Sequence, residues 1–317
     1  MKLYVYKHGW VHSQDLIPEY VDTTPFSQEG IKRHCTVVDN PDEADFFYMG
    51  QVSDGNIDNP QHPILESSFT FLPGRENKHI LDLEGDWCAL PGYGGGAQIA
   101  HPWVLKCIKS AAPTKYAHWV QPIMARPNLS GLLAFLKDNP ECSEIEFPDS
   151  TSFGFRGQPD PINTRVRTGE SLKRIGVPHE VTFNTSWGGR KGLDNPAVSA
   201  YIESLYKNLI SLCPEGVSSA TIRFYETCYF ARVPVIIGEQ MVMEEGDYDT
   251  SFLYKIDPTL GDAHMDAELL KIYNTPHAEL VEKGKAARQY FMDVVMKYFQ
   301  DPTLYFINWM KRKEIIK

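Results

Sequence analysis

Short runs of β-type residues alternate with helix-type segments along the chain, and this alternation limits the fold more than any other feature. In the first half we predict strands at residues 3–6, 36–38, 45–49, 79–83 and 116–120, and helices at 28–33, 97–110 and 129–136. In the second half we predict strands at 152–155, 180–183, 209–212, 234–237 and 252–256, and helices at 163–175, 197–208 and 220–231. Strands that alternate with helices form βαβ units, so the sequence predicts an α/β fold with mostly parallel sheets.

The polar, proline-interrupted segment "DNPECSEIEFPDS" separates the two series. We therefore predict two Rossmann-like domains, 1–147 and 148–275, that face each other across a cleft. The last segment, 276–317, is helical by its period and is expected to pack across both domains. Its apolar face consists of Leu280, Gly284, Ala287, Phe291, Val294, Val295 and Tyr298. Within it, a second short helix is predicted with Asp301 as N-cap and Pro302 as first residue.

The composition argues against several classes of protein. A formal net charge of −10 opposes general nucleic-acid binding, because affinity for the phosphate backbone depends on clustered Lys and Arg. The six cysteines are scattered, without a CxxC pair or a Cys/His spacing suited to zinc, and are expected to be reduced thiols. The N-terminus enters a predicted strand without the apolar region of a signal peptide. We expect a cytoplasmic protein without a transmembrane segment.

The stretch "LISLCPEGVSSATIRFYETCYFARVPVIIGE" reads as strand, turn, helix and strand, with Arg223 and Glu226 on one face of the helix. The helix begins at the carboxyl edge of a parallel sheet, where Ser218, Ser219 and Thr221 would face a diphosphate. Arg223 would add a charged contact to the same phosphate oxygens, and Glu226 would accept from the ribose hydroxyls. The alternative is an exposed ion pair between residues three apart.

These motifs resemble the exostosin-like glycosyltransferases of family 47. The likeness is carried by "CPEG", the two serines, Arg223, Glu226, Ala231 and "VPVII", by the upstream "FGFRG" with Arg165, and by the N-terminal "KLYVYKHGW" and "EADFFYMG". It is strongest over residues 152–256. The resemblance implies a GT-B fold, an N-terminal acceptor domain, a C-terminal sugar-nucleotide domain and transfer with inversion.

The resemblance also implies roles for particular residues. Arg223 would hold the diphosphate, Glu226 the ribose, and Arg156 would lie near the phosphates unless it is a surface arginine after its strand. Eukaryotic members usually carry an N-terminal membrane anchor and a stem, which we do not expect in this protein. We therefore expect a bacterial or viral cytoplasmic setting rather than the Golgi lumen.

Inverting transfer needs a general base, and the first domain should supply it. In "HILDLEGDWCALPGYGGG" Asp86 lies just beyond the predicted strand, and with Trp87 it resembles the "DWG" turn of the family. We expect Asp86 to be the base, with Glu84 second and His8 as an alternative base or acceptor contact. A turn aspartate and a structural histidine are the competing interpretations.

Aromatic and basic residues on loops complete the predicted site. Trp87, Tyr93 and Trp10 would stack on the acceptor sugar, although aromatic residues beside a loop are as often plain packing. Arg190, in the glycine-rich "NTSWGGRKGLDN", would touch the donor phosphates or base, or else lie on a mobile surface loop. The D-x-D sequence at Asp247 and Asp249 is interpreted as a solvated loop.

The sequence thus predicts an enzyme, an inverting hexosyl- or pentosyltransferase that uses a nucleoside-diphosphate sugar, with UDP favoured, and a saccharide or glycoconjugate acceptor. No metal or further cofactor is expected, because Arg223 and the helix end would neutralise the leaving group. Two alternatives stay open. One is a GDP-sugar enzyme similar to fucosyltransferases, and the other is a non-catalytic nucleotide-sugar or carbohydrate binder.

Overall fold

The computed structural model describes residues 1–6, 28–53, 75, 78–84, 105–110, 117–122, 145–159, 163–183, 196–215, 221–238 and 248–316. The described residues form two compact units. The first takes its residues from Met1–Met124 and Met296–Lys317, and the second from Ala125–Glu239 and Glu245–Val295. Each unit is built around one parallel sheet.

The first sheet contains six strands: β1 Lys2–Val5, β2 Thr36–Val37, β3 Phe46–Ser53, β4 His79–Glu84, β5 Leu105–Ser110 and β6 Ala117–Pro122. The second contains five: β7 Phe153–Gly157, β8 His179–Phe183, β9 Ile210–Pro214, β10 Val233–Ile237 and β11 Tyr254–Ile256. The described helices are α1 Gln28–His34, α2 Thr164–Ile175, α3 Pro196–Lys207, α4 Ile222–Tyr229, α5 Asp262–Tyr273, α6 His277–Tyr290, α7 Met296–Gln300 and α8 Pro302–Arg312. A π-helical turn, Phe291–Val295, joins α6 to α7.

Both sheets have the strand order of a doubly wound fold. The strand order is β2-β1-β3-β4-β5-β6 in the first and β8-β7-β9-β10-β11 in the second, and all neighbouring strands are parallel. In each, the direction of winding reverses beside the first strand of the unit, between β1 and β3 and between β7 and β9. The predicted α/β fold with parallel sheets is confirmed. Ligands of such folds bind at the carboxyl ends of the strands where the order reverses.

The second sheet is buried because parallel strands are covered by helices on both faces. All five residues of β9 and all five of β10 are buried, which accounts for the unbroken apolar run "VPVII". Buried side chains of α5 and α6, among them Leu269 and Leu280, belong to the same core. In the first unit, Phe306, Trp309 and Met310 of α8 pack with apolar residues of β1, β3 and β4.

Most predicted elements agree with the structure within a few residues, but one helix was wrong. Residues 97–110 were predicted to be helical, whereas Leu105–Ser110 form β5 between β4 and β6. A short apolar run fits either a helix or a strand, and here pairing on both edges decides for the strand. Helix α5 was not predicted, although Met265, Leu269 and Ile272 bury one face of it. The predicted helix 129–136 lies outside the described residues.

The predicted start of the last helix is confirmed. The side chain of Asp301 accepts a hydrogen bond from the backbone N–H of Leu304, and Pro302 is the first helical residue. Asp301 also accepts from Arg33 and lies 2.7 Å from Nε2 of His34, so it ties α8 to α1. Burial alone would raise the pKa of Asp301, but these contacts lower it below its usual range.

The predicted domain boundaries, after residues 147 and 275, stay a prediction. The two compact units divide the chain at other points, because residues of the polar segment such as Phe147 pack on the second core, and α6 does so as well. The chain leaves the second unit directly after the π-helical turn and continues in the first unit with α7.

A buried arginine caps the C-terminal end of α3. Arg232 has no exposed surface, and its guanidinium donates to the carbonyl oxygens of Leu205, Tyr206 and Glu146 at 3.2, 2.6 and 2.9 Å. Burial lowers the pKa of Arg232 to about 10, so the group stays charged at neutral pH. A positive charge at a helix C-terminus is favourable, because the last carbonyl groups lack helical partners.

Helix α4 ends in a turn against which α6 packs closely. Ala231 has a positive φ of 54°, and the N–H groups of Ala231 and Arg232 donate to the carbonyls of Cys228 and Thr227. This is the Schellman pattern of a helix C-terminus. A Cβ atom on Gly284 of α6 would lie 2.2 Å from the carbonyl oxygen of Ala231. Only glycine therefore allows α6 to approach the end of α4 this closely.

We expect Gly284→Ala to destabilise the protein by about 1–3 kcal/mol, because the new methyl group meets backbone that cannot move aside. On an open helix the same change would stabilise by up to about 1 kcal/mol. Urea unfolding of the purified variant measures the difference. Gly169→Ala in α2 is the matched control, since its nearest neighbour is a side-chain methyl group of Val181 at 3.2 Å. Equal stability of the two variants would contradict the prediction.

Candidate functional site

The candidate site lies at the carboxyl ends of β7 and β9, where the second sheet opens. β7 pairs with β8 over five residues and β10 pairs with β9 over five residues. β7 pairs with β9 only through Phe153 and Gly154. The carboxyl half of β7, which contains Arg156, is therefore unpaired on this side, and the strands separate at the point where the strand order reverses.

Arg223, in the first turn of α4, reaches into this opening. Its Nη2 atom donates to the backbone carbonyl of Arg156. Its guanidinium carbon lies 4.5 Å from the ring centre of Phe155 and 4.7 Å from that of Tyr201. Contacts between a guanidinium and aromatic faces are attractive and restrict the rotamers of the arginine. Arg223 is thus held at the sheet edge by one hydrogen bond and two rings.

The last residue of "FGFRG" has a steric reason to be glycine. A Cβ atom on Gly157 would lie 3.0 Å from the ring of Phe155 and 3.4 Å from Nη2 of Arg223. The distance to the ring is shorter than an ordinary van der Waals contact, and the distance to Nη2 is at the lower limit of one. A side chain here would therefore push the ring or the guanidinium aside. Gly157 therefore keeps space for the arginine at the end of β7.

Glu226, one turn further along α4, is a buried carboxylate with 7% of its surface exposed. The hydroxyl group of Tyr201 on α3 donates to its Oε2 atom. Burial raises the pKa of Tyr201 well above its usual range; the charge of Arg223 opposes this shift and that of Glu226 adds to it. Tyr201 is consequently a protonated donor at neutral pH.

The alternative interpretation of Arg223 and Glu226, an exposed ion pair, does not fit this geometry. Glu226 is buried, and the two side chains do not pair with each other. Tyr201 contacts both instead, its ring against the guanidinium and its hydroxyl on the carboxylate. The structure therefore brings the two predicted residues together around a third that sequence spacing did not indicate.

Three arginines surround the end of β7. Arg156 lies 3.9 Å from Glu180, a long ion-pair distance, and 21% of its side chain is exposed. Arg165 of α2 lies 5.9 Å from the ring of Phe155 and donates to the carbonyl of Gln158 at 3.0 Å. Arg223 is the third. Arg165 and Arg223 thus both lie against the ring of Phe155, and in a chain of net charge −10 these two guanidinium groups favour an anionic ligand at the sheet edge.

Beneath Arg223 lies a small buried polar cluster. Thr227 of α4 donates to Ser211 of β9 at 2.9 Å, and the sulfur of Cys213 lies 3.6 Å from the hydroxyl of Thr227. Burial raises the pKa of Cys213 to about 11, although Arg223 and the nearby hydrogen bonds lower it. A thiol with this pKa is protonated at neutral pH, which argues against a nucleophilic role.

The structure describes only part of the predicted site. Arg223 and Glu226 meet around Tyr201, Arg156 is joined to Arg223 through its backbone carbonyl while its guanidinium lies near Glu180, and Glu84 is the last residue of β4. The other predicted site residues lie outside the described residues: His8, Trp10, Asp86, Trp87, Tyr93, Arg190, Ser218 and Ser219. Of the D-x-D pair, Asp247 also lies outside the described residues, whereas Asp249 is exposed, as predicted for it, and accepts from the N–H of Ser251 at 2.8 Å.

Three residues at this edge were missed by sequence reasoning. Phe155 belongs to "FGFRG", but an aromatic residue within a buried strand is normally interpreted as part of the core. Tyr201 is one of two tyrosines in α3, and nothing in the spacing distinguishes it from Tyr206. Glu215 directly follows β9, is 5% exposed and packs its carboxyl group over Gly238.

Among the described residues, no group of three or more His, Cys, Asp or Glu side chains is arranged to hold a metal ion. None of the described helices is long and apolar enough to span a membrane.

Comparison of the sequence with protein-family models and with curated proteins gives no match. Membership of the exostosin-like family therefore stays a prediction that rests on the motifs quoted above.

We expect the thiols of Cys213 and Cys228 to resist iodoacetamide at pH 8 in the folded protein. Burial raises the pKa of both, and for Cys213 the smaller thiolate fraction alone should slow alkylation roughly 100-fold. Mass spectrometry of tryptic peptides measures each cysteine separately, and the urea-unfolded protein provides the reference rate. Alkylation of Cys213 at a similar rate in both states would contradict its assignment as a buried, protonated thiol.

Proposed function

We propose that the chain is an inverting glycosyltransferase of GT-B type, which transfers a hexosyl or pentosyl group from a UDP-sugar to a saccharide hydroxyl. The observation that carries this proposal is the placement of Arg223 and Glu226 at the point where β7 and β9 separate. Doubly wound sheets bind nucleotides at such a point. A cation for the diphosphate and a buried carboxylate for the ribose hydroxyls are the two polar contacts that a nucleoside diphosphate requires.

The electrostatics of the sheet edge support a diphosphate rather than a neutral ligand. Guanidinium groups bind phosphate oxygens through paired, charge-assisted hydrogen bonds, and such bonds are stronger where water is partly excluded. Arg223 uses Nη2 for the carbonyl of Arg156, which leaves its other N–H groups for a ligand. Arg165, which lies against the same ring of Phe155, adds positive charge nearby.

In the proposed reaction the acceptor oxygen attacks the anomeric carbon of the donor sugar. A carboxylate base takes the proton of that hydroxyl, and the bond between the anomeric carbon and the diphosphate oxygen breaks on the opposite face. UDP leaves with the electron pair of that bond, and Arg223 stabilises the charge that develops on it. For the base we propose Asp86, with Glu84 and His8 as alternatives.

Calorimetric titration with UDP, GDP and CMP in EDTA tests the donor site. We expect UDP to bind most tightly, and Arg223→Ala to weaken UDP binding about 10- to 100-fold through loss of a charge-assisted contact. Arg174→Ala is the matched control, because Arg174 lies in the last turn of α2 and pairs with Asp266. It should bind UDP like the wild type. Preference for GDP would favour a fucosyltransferase-like donor, and no nucleotide binding would refute the proposal.

Release of UDP from a panel of UDP-sugars, with and without saccharide acceptors, tests the chemistry. We expect Asp86→Asn to lower turnover at least about 100-fold while leaving the affinity for UDP unchanged, because a general base typically contributes 10²–10⁴-fold. Nucleotide binding without turnover in the wild type would indicate a non-catalytic binder. Full turnover in Asp86→Asn would exclude Asp86 as the base and direct the same test to Glu84 and His8.

A further inference from the structure

Tyr201 contacts both side chains that are proposed to bind the nucleotide. Its ring centre lies 4.7 Å from the guanidinium carbon of Arg223, and its hydroxyl donates to Oε2 of Glu226. Tyr201 belongs to α3, whereas Arg223 and Glu226 belong to α4. One side chain from a neighbouring helix thus joins the two charged groups.

We infer that Tyr201 is a positioning residue for the nucleotide: it keeps Arg223 and Glu226 from pairing with each other and holds the Glu226 carboxylate for the ribose hydroxyls. This inference rests on the proposed function and deepens it. In this role Tyr201 acts through Arg223 and Glu226 and does not itself take part in the chemistry.

The physical need for such a residue follows from the spacing on α4. Opposite charges three residues apart on a helix are close enough to pair, and partial burial strengthens their attraction. An ion pair would use the donors and acceptors that the ligand needs. Tyr201 satisfies each charge in another way, since its ring face attracts the guanidinium and its hydroxyl donates to the carboxylate. A carboxylate has about four lone-pair positions, so accepting from the tyrosine does not prevent it from accepting a further hydrogen bond.

The position of Glu226 favours ribose as its ligand. Arg223 lies in the first turn of α4 at the sheet edge, and Glu226 lies about 5 Å further along the helix axis. In a nucleoside diphosphate the ribose directly follows the diphosphate, at a similar separation. A diphosphate on Arg223 would therefore place the ribose hydroxyls toward Glu226.

Binding of UDP and 2′-deoxy-UDP to Tyr201→Phe tests this role. We expect the wild type to bind UDP about tenfold more tightly than 2′-deoxy-UDP, because a site that hydrogen-bonds a hydroxyl rejects the analogue without it. In Tyr201→Phe the preference should fall below about threefold, because UDP affinity drops while 2′-deoxy-UDP affinity changes little. Calorimetry gives both dissociation constants on one preparation, so their ratio does not depend on the folded fraction.

Two further variants make the test specific. Tyr206→Phe removes a hydroxyl from the same helix, where it donates to Glu146 at 3.4 Å, and should keep the wild-type preference. Glu226→Gln should lose the preference as Tyr201→Phe does. In the double variant of Tyr201→Phe and Glu226→Gln, the preference for UDP over 2′-deoxy-UDP should not fall below that of either single variant, because both changes act on one contact.

The outcomes separate this inference from the proposed function. If the wild type binds neither UDP nor GDP, the proposed function fails. If the wild type binds UDP and Arg223→Ala weakens it, but Tyr201→Phe keeps the wild-type preference, the positioning role is wrong and the proposed function stands. An equal loss of affinity for UDP and 2′-deoxy-UDP in Tyr201→Phe would also overturn the positioning role, because it would indicate a purely structural tyrosine.

Discussion

The pairing between β7 and β9 ends after two residues, and the candidate site depends on this early end. If the ladder were longer, β9 would pair with the carbonyl groups that follow Gly154. Because the ladder ends at Gly154, the carbonyl of Arg156 accepts instead from the guanidinium of Arg223. The helices on either side then deliver their side chains to one place: α4 brings Arg223 and Glu226, and α3 brings Tyr201. The gap lies where the strand order reverses, whereas the neighbouring β7–β8 and β9–β10 ladders each extend over five residues.

At this gap, the described contacts of Arg223 and Glu226 are with groups other than each other. Arg223 is stabilised by aromatic faces and a carbonyl oxygen, and Glu226 by a tyrosine hydroxyl. Arg232, deeper in the same unit, is likewise held by carbonyl oxygens. Because they are held in this way, Arg223 and Glu226 do not form an ion pair with each other. That property suits a binding site, because Arg223 keeps its positive charge for an anionic ligand.

Prediction from the sequence succeeded where the local pattern and the tertiary environment agree. The apolar run of β10, the period of α6 and the N-cap at Asp301 are properties of short stretches, and each appears in the structure as expected. The helix predicted at 97–110 failed at β5, because strand pairing on both edges outweighed the local preference of six residues. In the site, the positions of Arg223 and Glu226 on one helix face followed from their spacing. Phe155 and Tyr201 did not, since contacts between separate elements leave no periodic signal.

The sequence by itself determined the alternation of strands and helices, the parallel character of the sheets and the presence of a cation and a carboxylate one helical turn apart. These follow from hydrophobic periodicity and from the fixed geometry of a helix. Only the tertiary structure decided that Glu226 is buried, that Arg223 stacks on two rings and that Tyr201 lies between the two charges. Burial and pairing depend on elements tens of residues apart that approach each other in the folded protein, and that proximity is set by packing rather than by spacing along the chain.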